Sequence, residues 1–167
     1  MEIINAVVGI IQLVIAIILA VAALYIGFSV LGKITKGIDE EKEIAKGNAA
    51  VGILVASVFI AIGIVVQSGV AGISVGISQA LKVGLLSGVG IAIIVISIIQ
   101  LLLGIVLAIV AIYLALNILD KLTKGIDEFA ELKKGNVAVA LEMAGVIITV
   151  AIIIQSGVMG ITAALIG

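Results

Sequence analysis

The sequence predicts an all-α integral membrane protein: four transmembrane helices in two tandem, parallel-related hairpins, with short interfacial or re-entrant helices beside them. Three observations carry this expectation. First, hydrophobic residues make up 64% of the 167-residue chain and charged residues only 11%, with a mean hydropathy of +1.53. A soluble domain is about half apolar and about a quarter charged, so the excess must face lipid. Second, one block occurs twice without a gap, at a constant shift of 88 residues (Thr35 to Thr123). Thr35-Lys36-Gly37-Ile38-Asp39-Glu40, Lys46-Gly47-Asn48 and Gln67-Ser68-Gly69-Val70 return as Thr123-Lys124-Gly125-Ile126-Asp127-Glu128, Lys134-Gly135-Asn136 and Gln155-Ser156-Gly157-Val158. Third, the lysines are concentrated in two short charged connectors.

The first repeat is expected over residues 1–88. Its opening span, about residues 3–31, is interrupted only by Asn5, Gln12 and Ser29. It would be roughly 43 Å long as a helix, more than the ~30 Å hydrocarbon core requires, and tilt can absorb the surplus. Met1-Glu2-Ile3-Ile4-Asn5 lacks a basic leader, and the apolar run behind it exceeds a signal peptide's, so this span is expected to be retained. The connector, residues 32–48, reads as a short amphipathic helix with acids first and a lysine last, an order that complements the helix dipole. Gly47 suits its C-terminus and Asn48 the N-cap of the next helix. The second span is expected over 49–66, ended by Gln67-Ser68-Gly69. Residues 70–88 carry Gly72, Gly76, Ala80, Gly84 and Gly88 at every fourth position, which on a helix makes one smooth face. Lys82 and several serines point to an interfacial or re-entrant segment there. The second repeat, 89–167, has spans over 89–119 and 136–154, a connector over 120–135 and an apolar tail over 158–167.

Orientation follows from lysine placement. Lys33, Lys36, Lys42 and Lys46 lie in one connector, Lys121, Lys124, Lys133 and Lys134 in the other, and Lys82 alone lies elsewhere. The positive-inside rule puts both connectors in the cytoplasm of a plasma-membrane protein, with both termini outside.

Composition excludes several chemistries. Without Cys there are no disulfides or thiolate sites, and without His the usual metal ligand and proton carrier are missing. Every basic residue is Lys, so no guanidinium fork is present. A net charge of −1 spread over short loops offers nothing to nucleic acid. Ser29 and Lys33 sit four apart, but the second repeat has Asn117 at the serine position, which argues against a Ser–Lys dyad. The glycine-rich stretch lacks a phosphate-loop pattern. No enzyme, cofactor or metal is expected.

The remaining candidates lie in the spans. Gln12, Ala16, Ala20, Ala23 and Gly27 form one helical stripe, repeated as Gln100, Gly104, Ala108, Ala111 and Ala115. Small residues admit close helix approach and a glutamine can bond across the contact, so the stripe reads as a packing seam, with a polar pore lining as its rival. Glu142 lies six residues past Asn136 where the first repeat has Leu54, roughly 9 Å into the fourth span. Intramembrane acids are costly and raise a functional hypothesis. Glu142 with Gln12, Gln100 or Thr149 would make an ion or proton site; otherwise it snorkels to the interface or is protonated and hydrogen-bonded. Tyr25 and Tyr113, just before the connectors, suit interface anchors. The acids Asp39, Glu40, Glu41 and Glu43, interleaved with lysines, read as a solvated charged helix.

Asp39-Glu40 to Lys46-Gly47-Asn48-x-Ala50, repeated as Asp127-Glu128 to Lys134-Gly135-Asn136-x-Ala138, resembles the domain of unknown function 350 family. That resemblance implies a small multi-pass membrane protein and transfers no catalytic residues; Glu142 and the glycine-rich linker depart from the pattern. Duplicated hairpins with one carboxylate in the fourth span are also similar to rotary-ATPase proteolipids, although those have denser small-residue zippers and short polar loops. Small-residue faces left over on short spans lead to the expectation of a homo-oligomer, and the paired connectors to that of a cytoplasmic protein partner.

Overall fold

A computed structural model describes residues 2–35, 37–123 and 125–166; Lys36 and Lys124 of the lysine-rich connectors lie outside the described residues. All its regular structure is helical: α1 (Glu2–Ile34), α2 (Glu40–Ala45), α3 (Ala49–Val83), α4 (Gly88–Leu122), α5 (Glu128–Lys133) and α6 (Val137–Ile166). Four of these, α1, α3, α4 and α6, are long and apolar enough to cross a membrane.

Two expected boundaries need correction. The glycine-rich segment 70–88 is no separate interfacial or re-entrant helix, because α3 runs unbroken from Ala49 to Val83, through Gln67-Ser68-Gly69. The Ser68 hydroxyl donates to the Val65 carbonyl at 2.8 Å, so the polar triplet is absorbed within the helix. Gly72, Gly76 and Ala80 are buried on one face, as their spacing implied, but that face belongs to α3 itself. The helix ends at Gly84, whose φ of +94° suits glycine, and Ser87 caps α4 by accepting from the Gly90 amide at 3.0 Å. Similarly, the tail 158–167 continues α6 as far as Ile166. At roughly 52 Å, α3 and α4 are each longer than a bilayer core.

The packing is unequal. α3 is covered along its length, against α6 on one side and α4 on another, while α4 also touches α6. α1 rests mainly on α3 and exposes most of its surface. Gly69 lies against Leu101 and Gly76 against Ser97, so α3 and α4 run antiparallel. Asn48 meets the end of α5, and Gly72 meets Thr162, so α3 and α6 run side by side in the same direction. The buried core is aliphatic, including Leu54, Val65, Leu101, Leu116, Leu132 and Ile147. Outward-facing Ile, Leu and Val cover every long helix, a surface that only lipid solvates well.

Candidate functional site at the connector end

Both connectors lie at one end of the bundle, and the repeated block builds the same clamp in each. The Asp39 carboxylate caps α2 by accepting from the Lys42 amide at 3.1 Å, and Asp127 caps α5 by accepting from the Ala130 amide at 3.0 Å. Gly47 and Gly135 then turn the chain at φ +83°. Asn48 caps α3 by accepting from the amides of Ala50 and Val51 at 3.1 and 3.3 Å, while its amide group donates to Glu43 at 3.0 Å. Asn136 makes the matching contacts with Ala138, Val139 and Glu131. Lys46 and Asn48 hold the Glu43 carboxyl below its ordinary range; Asn136 and Lys134 do the same for Glu131.

One expectation about these acids is overturned. Glu40 is not a solvated first-turn acid but a buried one; its counterpart Glu128 is buried too, and each contacts a threonine, Thr35 or Thr123. Each threonine hydroxyl also reaches a carbonyl one turn back, Leu31 at 3.0 Å and Leu119 at 2.8 Å. A hydroxyl has one hydrogen. When the carbonyl takes it, the contact with Glu128 is completed by a carboxylic proton. Burial accordingly pushes the Glu128 carboxyl up, with Asp120 and then Glu142 adding to the effect while the residue's own amide opposes it. The sequence signal was the five-residue Thr-to-Glu spacing kept in both repeats. The symmetry breaks around it, since Gly32 and Leu54 stand where the second repeat has Asp120 and Glu142. Among the described residues, no three acidic side chains converge as metal ligands would.

Glu142 and Thr149 are exposed on one side of α6. Gln100 is buried elsewhere, donating to the Thr162 hydroxyl at 2.9 Å. Thr162 lies 20 residues beyond Glu142, roughly 30 Å along the helix. Gln12 is half-buried on α1. The four candidates for an ion or proton site are therefore not brought together within one chain. Part of the small-residue stripe, by contrast, packs closely against other helices. Gly27 faces Ile62, Ala23 and Ala108 are buried, and a Cβ on Gly104 would lie 3.0 Å from Val158. Ala16, Ala20, Ala111 and Ala115 are half-buried along the same stripes. Tyr25 and Tyr113 both face outward.

Four apolar helices and two clamped polar connectors at one end define a multi-pass membrane protein. The chain belongs to the family described as Domain of Unknown Function (DUF350), whose profile matches residues 5–104 and again 93–166. Neither the curated proteins nor the solved structures compared include a match.

Proposed function

We propose that the chain is a non-enzymatic structural component of the plasma membrane that self-assembles there and turns its two connectors to the cytoplasm, where they engage a protein partner. The observation that carries this reading is where the polar side chains are used. In both connectors Asp, Glu and Asn of the block fix the backbone. Lys42, Lys46 and Lys134, each paired with an acid of its own connector, stand with Lys133 on an exposed charged surface. Within the spans the glutamines are dispersed.

The Glu128–Asp120–Glu142 neighbourhood favours a second reading, an ion or proton conduit with Glu142 at its mouth. Flux through liposomes separates the two. The structural reading expects no cation, anion or proton flux that depends on Glu142. Flux in the wild type, abolished by both Glu142→Gln and Glu142→Leu, would sink it.

A further inference from the structure

We propose that copies of this chain join head to tail, the open side of α6 on one copy receiving α1, α2 and α3 of the next just as α3 receives α4, α5 and α6 within the chain. The inference rests on the self-assembly read above and assigns its surfaces. In α3, Leu54, Ser57, Ala61, Val65, Ser68 and Gly72 are all buried. Shifted by one repeat, they become Glu142, Gly145, Thr149, Ile153, Ser156 and Gly160 on one stripe of α6, and every one of these is exposed. Val65 is 1% exposed and Ile153 65%.

The opposing surface shows the same relation in reverse. Leu101 of α4 is 1% exposed and its counterpart Leu13 of α1 is 60%. Leu132 of α5 is fully buried and its counterpart Ile44 of α2 is 43% exposed. Ile147 and Ala151 of α6 are buried, while Phe59 and Gly63 of α3 are exposed. The chain thus carries both halves of its own internal interface a second time, and both are open.

Exposed leucine alone would mean little in a membrane, where lipid covers it. The α6 stripe is different, because Gly145, Thr149, Ser156 and Gly160 are small or hydroxyl-bearing residues of the kind that line helix–helix contacts in membranes, and Glu142 is poor lipid-facing chemistry. A polar latch marks the register. Asn48 donates to the Leu132 carbonyl at 2.9 Å, so the repeat directs the Asn136 amide to the Ile44 carbonyl of the next copy. Such a contact is heterologous and closes into a ring when successive rotations return to the start. With all copies in one bilayer, the axis of that ring is the membrane normal.

The chain has no cysteine, so introduced pairs report the contact directly. Val65 lies 3.6 Å from the place of a Cβ on Gly104, and the shift sets Ile153 of one copy against Ala16 of the next. The double variant Ala16→Cys/Ile153→Cys, oxidised mildly in native membranes, is expected to give a reductant-sensitive ladder of dimers, trimers and larger species. Each single variant should give only background. Neither position is buried, so folding is not at stake. The native mass of the wild type in lipid nanodiscs is read alongside. Several copies with a ladder sustain the proposal. Several copies without one, or single cysteines that dimerise efficiently, overturn the head-to-tail contact and leave self-assembly standing. A single copy overturns both. Asn136→Ser keeps a capping oxygen but loses the latch, and should weaken association about 2- to 10-fold, the worth of one net hydrogen bond. Unchanged association of Asn136→Ser would refute the latch.

Discussion

Asn48 serves three strands of the architecture with one side chain. Its oxygen caps α3, and its amide ties the cap to Glu43 and to the α5 carbonyl of Leu132. Asn136 has the first two of these contacts within the chain. Replacing a capping asparagine with alanine costs about 1 kcal/mol, and a lost hydrogen bond about 1 more. Asn48→Ala should therefore destabilise the isolated monomer by about 2 to 3 kcal/mol, and Asn136→Ala by about 1 less, in reversible unfolding from mixed micelles. Equal losses would show that the Leu132 contact contributes nothing. Glu128 gives a pH signature. Its folded carboxyl stays protonated above the ordinary value of 4.5, so in that range the native state binds more protons than the unfolded chain. Stability must then fall as pH rises from about 4.5 through the folded value, and level off beyond it. Glu128→Gln should flatten that part of the stability–pH curve; an unchanged slope would refute the buried, protonated acid. The sequence made Glu142 conspicuous because it breaks the repeat. Glu128 stayed hidden because burial of a first-turn acid depends on a threonine that packs back from the preceding helix.

At the scale of elements, periodicity revealed the helices and their faces more faithfully than their ends. The four-residue glycine spacing after Val70 did describe a smooth helical face, but Gln67-Ser68-Gly69 looked like a stop. In α3 it is not one, since a serine hydroxyl can return its hydrogen bond to the helix and the glycine is needed beneath Leu101. What ends α3 is the turn at Gly84, held tightly against the start of α4. A Cβ on Gly90 would collide with the backbone carbonyl of Gly84 and stand 3.0 Å from that of Leu85. Backbone cannot yield as a side-chain tip can. Gly90→Ala should thus cost about 1 to 3 kcal/mol, as overpacking does. Gly145→Ala, with nothing within 4 Å, should be neutral or slightly stabilising through helix propensity. Thermal unfolding of the two variants in one detergent compares them, and similar midpoints would refute the tight turn.

For the whole molecule, hydropathy identified the solvent and the repeat identified the unit, since both are sums over many residues. Which faces are covered was not legible, because Leu13 and Leu101, or Leu54 and Glu142, occupy the same place in the repeat and differ only in their neighbours. The structure makes the connectors neighbours, with the Asn48 amide donating to α5. A bundle whose connectors touch cannot place them on opposite sides of one bilayer. The proposed cytoplasmic side rests on lysine placement, through the positive-inside rule. Single cysteines replacing Lys42 and Lys133, both exposed, should react with a membrane-impermeant maleimide only after the cytoplasmic side is opened. Labelling of both from outside intact cells would reverse the orientation and keep the fold. Labelling from opposite sides would break the Asn48–Leu132 contact itself, and with it the side-by-side packing of α3 and α6 on which the head-to-tail assembly depends.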